Sequence, residues 1–391
     1  MKKTMSAVIA RRDRRVAGPG RSSWILFAAL AMVLALAPMV LNQFNIGLLA
    51  KFLCYSMVAI GLGLLWGRGG VLSLGQGVFF GLGGYIMAMH MQLADASANG
   101  GSGVPEFMSL YGNGHVPGWW LPFRSGVVTL IAIPVVPMLV AWALGAAVFK
   151  RRVKGAYFSI LSQALVAAFA LLLIGAQTST GGSNGLSDFT GFFGYVLNDP
   201  VNQRSLYCLV LIVVLVMLLA TGLLMYSRFG EVLLAVRDTE ERVRFLGYDP
   251  ASIKTAAFVY AALLASIGGA LFVPVAGIIS PSDIGVTPSI IFLLGVALGG
   301  RSTFLGPVLG SLIVSIAQNS LSSAFPSFWS YLEGALFIVV IALLPGGVAT
   351  LVPSIRRWRR RVSGAPGARG GSRASQTDAV PEASAGELVS R

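Results

Sequence analysis

The chain has 391 residues, 55% of them hydrophobic and only 11% charged, with a formal net charge of +14. A soluble fold needs a polar surface and roughly 25% charged residues, so this composition excludes one and defines an all-α integral membrane protein. Continuous apolar runs suit helices, whereas an outer-membrane barrel shows short alternating segments.

A basic tail at 1–23 precedes ten apolar runs, at 24–41, 46–66, 71–93, 127–149, 156–176, 206–226, 256–279, 288–299, 304–317 and 328–352. Most are long enough to cross about 30 Å of hydrocarbon as helices rising about 1.5 Å per residue, the eighth and ninth being short. The first run ends in "ALAP" (35–38), which resembles a signal-peptide cleavage site, but Pro38 and the length of the run favour an uncleaved helix. Cleavage after Ala37 leaves the next run starting outside in either case. With the N-terminus inside, ten crossings place all but three of the 29 Lys and Arg (Lys51, Arg124 and Arg204) on the cytoplasmic side, together with both termini. Asp95, Glu106, Asp188, Asp199 and Asp283 share the outer loops. The basic tail and "RRWRRR" (356–361) suit anionic lipid headgroups of the bilayer, so the charge calls for no nucleic acid. Residues 353–391 begin basic and continue as a Gly, Ala and Ser-rich tail that reads as disordered. Cys54 and Cys208 lie in apolar runs as packing residues, with no disulfide framework or metal site.

Ten crossings divide into two halves of five, which an odd number per half sets in inverted orientation. The third run, "VLSLGQGVFFGLGGYIMAMHMQL", and its counterpart, "PSIIFLLGVALGG", are both Gly-rich, with Gly75 and Gly295 among their small residues. Two readings stand: tight packing of helix backbones, or broken helices lining a polar pathway for a small solute. On the second reading Ser73 and Gln76, Ser159, Ser162 and Gln163 add side-chain donors and acceptors. "TGGSNGL" (180–186, with Gly182 and Asn184) and "PEFMSLYGNGHVPGWWLPF" (105–123) shape its outer entrance. Lys51, His90 and Glu333 sit toward outer ends of runs, where long side chains snorkel. No titratable relay, nucleophile and base pair, or phosphate-binding loop is present, so the chain has neither an obvious route for proton coupling nor a catalytic or ATPase site of its own and requires no cofactor.

The longest inner loop, 227–255, concentrates charge in "AVRDTEERVRFLGYDP" (235–250). From Gly230 to Leu246, Val232, Leu233, Val236, Val243 and Leu246 recur at three- and four-residue steps before Gly247 and Pro250 end the pattern, which predicts one short amphipathic helix. Its mixed charges, Asp238, Glu240 and Glu241 beside Arg242 and Arg244, argue against an anionic lipid surface as sole partner and for a groove on another protein.

Glu241, six residues before Gly247, resembles the coupling-loop motif of ABC-importer permeases, although Arg242 and Val243 replace its small residues and its later Ile and Leu-Pro are missing. More widely, "GLGLLWGRGGVLSLGQGVFFGLGGY" (61–85), "KGAYFSILSQAL" (154–165), "TGGSNGL", "AVRDTEERVRFLGYDPASIKTAAFVYAALLASIGGAL" (235–271) and "GGRSTFLGPVLG" (299–310) are similar to the branched-chain amino-acid permease family, over about 300 residues. Within that family, "PEFMSL" and "GWWLPF" look most like urea-importer permeases. The resemblance implies a permease subunit in a bacterial inner membrane, paired with a second homologous permease, two ATP-binding subunits and an external solute-binding protein. Carried onto this chain, it makes Glu240, Glu241, Arg242 and Gly247 the coupling site and urea or a branched-chain amino acid the solute. An ATP-independent channel or carrier is the competing expectation.

Overall fold

The computed structural model describes residues 21–324, except 99–102, 112, 113, 154, 198 and 302, together with isolated positions between 326 and 338. Residues 1–20, Lys154, Glu333, most of the expected tenth span and the tail at 353–391 therefore lie outside the described residues.

The helices are α1 (Arg21–Val40), α2 (Gln43–Gly67), α3 (Gln76–Ala98), α4 (Gly126–Lys150), α5 (Gly155–Gly175), α6 (Pro200–Met225), α7 (Arg228–Asp238), α8 (Glu240–Phe245), α9 (Pro250–Ala276), α10 (Pro281–Ile284), α11 (Val286–Gly299) and α12 (Gly306–Ala324). Among the described residues seven helical spans are long and apolar enough to cross a membrane: α2, α3, α4, α5, α6, α9 and the α10–α11 pair. Helices α1 and α12 pack alongside them, the first against α6 and the second against α2 and α11.

Several boundaries differ from the apolar runs for local reasons. Helix α6 starts at Pro200, six residues before its apolar run, because Asp199 accepts the N–H of Val201 and proline suits the first helical turn. Asp249 and Pro250 start α9 in the same way. Helix α3 starts only at Gln76, since Val71 to Gly75 are irregular, with a bend at Leu74.

Burial separates core from rim. In the most apolar window of α3 83% of residues are buried, against 22% in α4; α2, α3, α9 and α11 form the centre, while Leu130, Trp142, Ile160, Leu171, Ile212 and Val216 turn outward as a lipid-facing surface. Tyr55, Phe80, Phe272 and Phe292 join the four central helices, with ring centroids 5.3 to 5.9 Å apart. The α3–α9 contact is closest where Gly83 meets the Ser266 carbonyl and Gly269 meets the Phe80 carbonyl, both positions that leave no room for a Cβ. Gly295 serves the α11–α12 contact in the same manner, a Cβ there standing 2.8 Å from the Cα of Ser311. This is the small-residue packing typical of helices in lipid.

The helices alternate between two ends. At one, the turn 68–70 meets Leu233 and Arg237 of α7, and Arg68 and Arg301 lie over the rings of Tyr226 and Trp66; this basic end also holds Lys150, Arg151 and Arg152. At the opposite end Leu186–Ser187 (β1) pairs antiparallel with Ile278–Ile279 (β4), Gly191–Phe192 (β2) pairs with Tyr195–Val196 (β3), and the Asp95 carboxylate accepts the Thr190 N–H, the Thr190 hydroxyl and the Gly191 N–H.

Replacing Gly269 with Val forces a side chain against backbone and is expected to cost about 1–3 kcal/mol, seen as a lower melting temperature of the detergent-solubilised chain. Gly47→Ala, at a site with open space around it, is the control; equal melting temperatures for the two variants would contradict the packing described.

Candidate functional site

Two chain breaks lie inside the bundle. The first follows α2, where Gly70 turns the chain with φ +66° and Val71 to Gly75 lead without regular structure into α3. Backbone freed from a helix needs partners inside the protein, and α5 provides them: the Ser159 hydroxyl donates to the Leu72 carbonyl at 2.7 Å, and the Ser162 hydroxyl accepts the Leu74 N–H at 3.0 Å. Ser73 accepts the Gly75 N–H through its own hydroxyl. The second break enters from the opposite end. Helix α9 stops at Gly277, the strand pair follows, and Ser280 and Asp283 form a capping box around α10, the Ser280 N–H and hydroxyl both donating to Asp283 Oδ2. The two breaks converge: Gly77, in the first turn of α3, abuts the Ile284 carbonyl and the Ser289 hydroxyl in the first turn of α11. Two helix N-termini, each with unpaired N–H groups and a partial positive charge, thus meet within the bundle.

The structure gathers Ser73, Gly75 and Gln76 at the start of α3, all buried, with Gly75 against Ser162. Gln76 is 1% exposed and neither of its amide atoms has a hydrogen-bond partner. Gln163 is half-buried on α5. Gly182 and exposed Asn184 lie apart from these, at the opposite end. There Asn184 lines an open cleft of about 550 Å³ with Gln92, Asp95, Glu106, Phe107 and Asp188, which brings the two outer-loop motifs together. Gly295, in the α11–α12 contact, is not part of either group. Lys51 places its ammonium 5.3 Å from the Phe272 ring centroid, and the Phe123 carbonyl lies 2.8 Å from His90 Nδ1. Among the described residues no three His, Cys, Asp or Glu side chains cluster as metal ligands.

At the basic end the charged loop is two helices, not the single one expected over 230–246. Thr239, non-helical at φ −151° and ψ 75°, breaks it into α7 and α8. The break resets the helical register, so Leu233, Val236 and Val243 point inward while Leu246, expected on the buried face, is 76% exposed. Phe245, 91% exposed, and Tyr248 join it, making an apolar tip around Gly247, whose φ of +87° ends α8 in open space. Glu241 and Arg242 are exposed beside this tip. Glu240 is instead tied inward, accepting Lys254 Nζ at 2.6 Å and Arg244 Nη2 at 3.3 Å. Sequence reasoning missed the tip because periodicity was carried through Thr239; the consecutive apolar residues of "RFLGY", flanked by charges, were its signal.

The loop grips the first break and the start of the helix that leads to the second. Arg237 Nη1 donates to the Gly67 carbonyl at 2.5 Å, and its stem packs on Gly70 at the mouth of the first break. Glu240 holds the first turns of α9, the helix that leads to the second. The loop therefore touches the mouth of the first break directly and reaches the second only through the 27 residues of α9.

Fold and site together define a multi-pass membrane permease subunit with an exposed apolar tip on its charged loop. A family model described as the permease component of the branched-chain amino acid transport system matches residues 44–341, and the chain belongs to that family of ABC transport permeases. The high-affinity branched-chain amino acid transport system permease protein LivM of Escherichia coli (strain K12) is 25% identical, covering 87% of this chain and 77% of the relative. LivM of Salmonella typhimurium is 25% identical with the same coverage. The permease protein LivH of Escherichia coli (strain K12) is 25% identical over 75% of this chain and 90% of its own length. No solved structure matches significantly.

Asp249 caps α9 directly behind the tip. The Ser252 hydroxyl, followed by the N–H groups of Ala251 and Ser252 and the charge of Arg244, holds its carboxyl below the usual carboxylate range. A depressed folded-state value contributes stability that is present above the unfolded value and lost as pH falls through the folded one. Asp249→Ala is expected to cost about 1 kcal/mol at pH 7, as N-cap losses do. The gap to wild type should close only below about pH 4; a gap constant from pH 7 to pH 3 would contradict the assignment.

Proposed function

We propose that the chain is one of two homologous permease subunits of an ATP-driven importer in a bacterial inner membrane, with its basic end in the cytoplasm. Two ATP-binding subunits serve the pair, and the one beneath this chain receives the Phe245–Leu246–Tyr248 tip, with Glu241 and Arg242 as the charged rim and Gly247 as the turn that presents it. An external solute-binding protein docks at the opposite end, over the cleft that Asn184 lines. The carrying observation is the tip itself, since three large apolar side chains exposed to water on a charged loop are a docking site. Closure of the ATP-binding subunits moves α7 and α8, and the Arg237–Gly67 and Glu240–Lys254 contacts transmit that motion to the two breaks. Ser73, Gly75, Gln76 and Gln163 lie along the solute path near the first break, and Gly182 and Asn184 near its outer entrance; Gly295 holds the α11–α12 wall.

Urea or a short amide is the solute that the neutral polar groups around the α3 start, Ser73, Gln76 and Ser162, support: they answer a neutral, hydrogen-bonding molecule without charge. A branched-chain amino acid is the second reading, favoured by the names of the relatives and by the paired helix N-termini, which suit a carboxylate.

Glu241→Arg and Phe245→Ser alter exposed positions and are expected to shift the melting temperature of the chain by no more than about 0.5 kcal/mol equivalent. In the assembled complex each should reduce solute-stimulated phosphate release at least about tenfold, the loss of an interface anchor being about 1.4 kcal/mol or more. Undiminished stimulation in both variants would sink the coupling role.

A further inference from the structure

Two side chains on α3 are both buried and without hydrogen-bond partners, Gln76 and Tyr85. A polar group left unsatisfied in a packed interior needs an explanation, because it carries the full cost of lost hydration. Gln76 shares a helix face with Phe79 and Gly83, which pack on α9. Tyr85 lies elsewhere. With Gly77 and Gly81 it forms an i, i+4, i+8 row, the row that faces the second break. Gly77 abuts the Ile284 carbonyl; a Cβ at Gly81 would stand 2.8 Å from the Ile284 side chain; and neighbouring Gly84 meets Ile279. Tyr85 is 2% exposed, and its hydroxyl is therefore an orphan donor on the face of α3 that carries the irregular backbone of 277–285. Asp283 lies in that stretch, within electrostatic reach of both Tyr85 and Tyr55. Both bonds to its carboxylate come from Ser280 and fall on Oδ2; among the described residues Oδ1 has no partner.

We propose that Tyr85 and Asp283 are the polar contacts of a solute-binding site between α3 and the 277–285 break, for a compact molecule carrying an acceptor oxygen beside N–H donors. The Tyr85 hydroxyl donates to the solute's carbonyl or carboxylate oxygen, and Asp283 Oδ1 accepts from its N–H. Urea, a short amide and the ammonium-carboxylate head of an amino acid share this chemistry. Segment 277–285 admits the solute by moving off α3, turning on Gly277 at φ +70° with open space around it. In the arrangement described here Ile284 occupies the space beside Gly81. The inference rests on the permease reading above and adds to it which residues meet the solute.

The test uses the full importer in proteoliposomes, with radiolabelled leucine and radiolabelled urea as probes, each supplied with its saturating binding protein. Tyr85→Phe removes one oxygen. The solute moved per ATP is expected to fall about tenfold for the transported probe, with the melting temperature unchanged or raised, as loss of an orphan hydroxyl predicts. Asp283→Asn keeps an acceptor for Ser280 and removes the charge. It should reduce leucine transport more than urea transport where leucine is carried, because only leucine brings an ammonium group. Wild-type coupling in Tyr85→Phe would overturn the site while leaving the permease reading intact, and so would a drop in transport accompanied by a lower melting temperature, the mark of a structural role. A wild-type complex that neither hydrolyses ATP in response to either probe nor moves it would overturn the permease reading and the site together.

Discussion

Backbone that leaves a helix within a membrane protein must find every hydrogen bond inside the protein, and the arrangement of this chain follows from meeting that demand twice. At the first break the donors and acceptors come from α5, whose Ser159 and Ser162 hydroxyls bond to Leu72 and Leu74. At the second they come from the β1–β4 pairing and from the Ser280–Asp283 capping box. Meeting them fixes where α5 lies and why the loop after Thr180 reaches back to Ile279. It also requires small residues along α3, since any side chain at Gly77 or Gly83 would displace the backbone opposite.

The same constraint explains how a loop at one end of the molecule can act on its interior. A continuous helix through the bundle resists bending, whereas a non-helical segment followed by a helix start offers a joint. The first joint is bonded to α7 through Arg237 and the Gly67 carbonyl, and the second is linked to α8 along the length of α9, whose first turns hold Lys254 against Glu240. The exposed apolar tip stands beyond those bonds, so a partner seated on it moves the attached helices rather than a free loop.

The membrane class, the approximate course of the seven described spans and the existence of an amphipathic loop were legible in the sequence, because apolar runs and charge spacing are local signals. The starts of α6 and α9 lie outside the apolar runs, where Asp199–Pro200 and Asp249–Pro250 are the local signal. Less local facts were not readable. That Ser159 and Ser162 serve the backbone of 72–74 depends on α5 lying beside the first break. That Leu246 turns outward depends on Thr239 leaving the helical conformation, which no periodicity encodes. The partnerless hydroxyl of Tyr85 is a fact of tertiary packing: in the sequence it is one aromatic residue in an apolar run. Gly75 and Gly295, alike in the sequence, were separated only by their neighbours, Ser162 near one break and Ser311 in a helix–helix contact.

The most direct test of this account places a photo-crosslinking amino acid at Phe245 in the chain expressed in its native membrane, followed by irradiation, purification and mass spectrometry of the adducts. A covalent adduct to an ATP-binding subunit, absent when the same probe replaces Trp142 on the lipid-facing surface, is the predicted result. Adducts confined to lipid, with the purified chain moving solute in the absence of ATP, would contradict it.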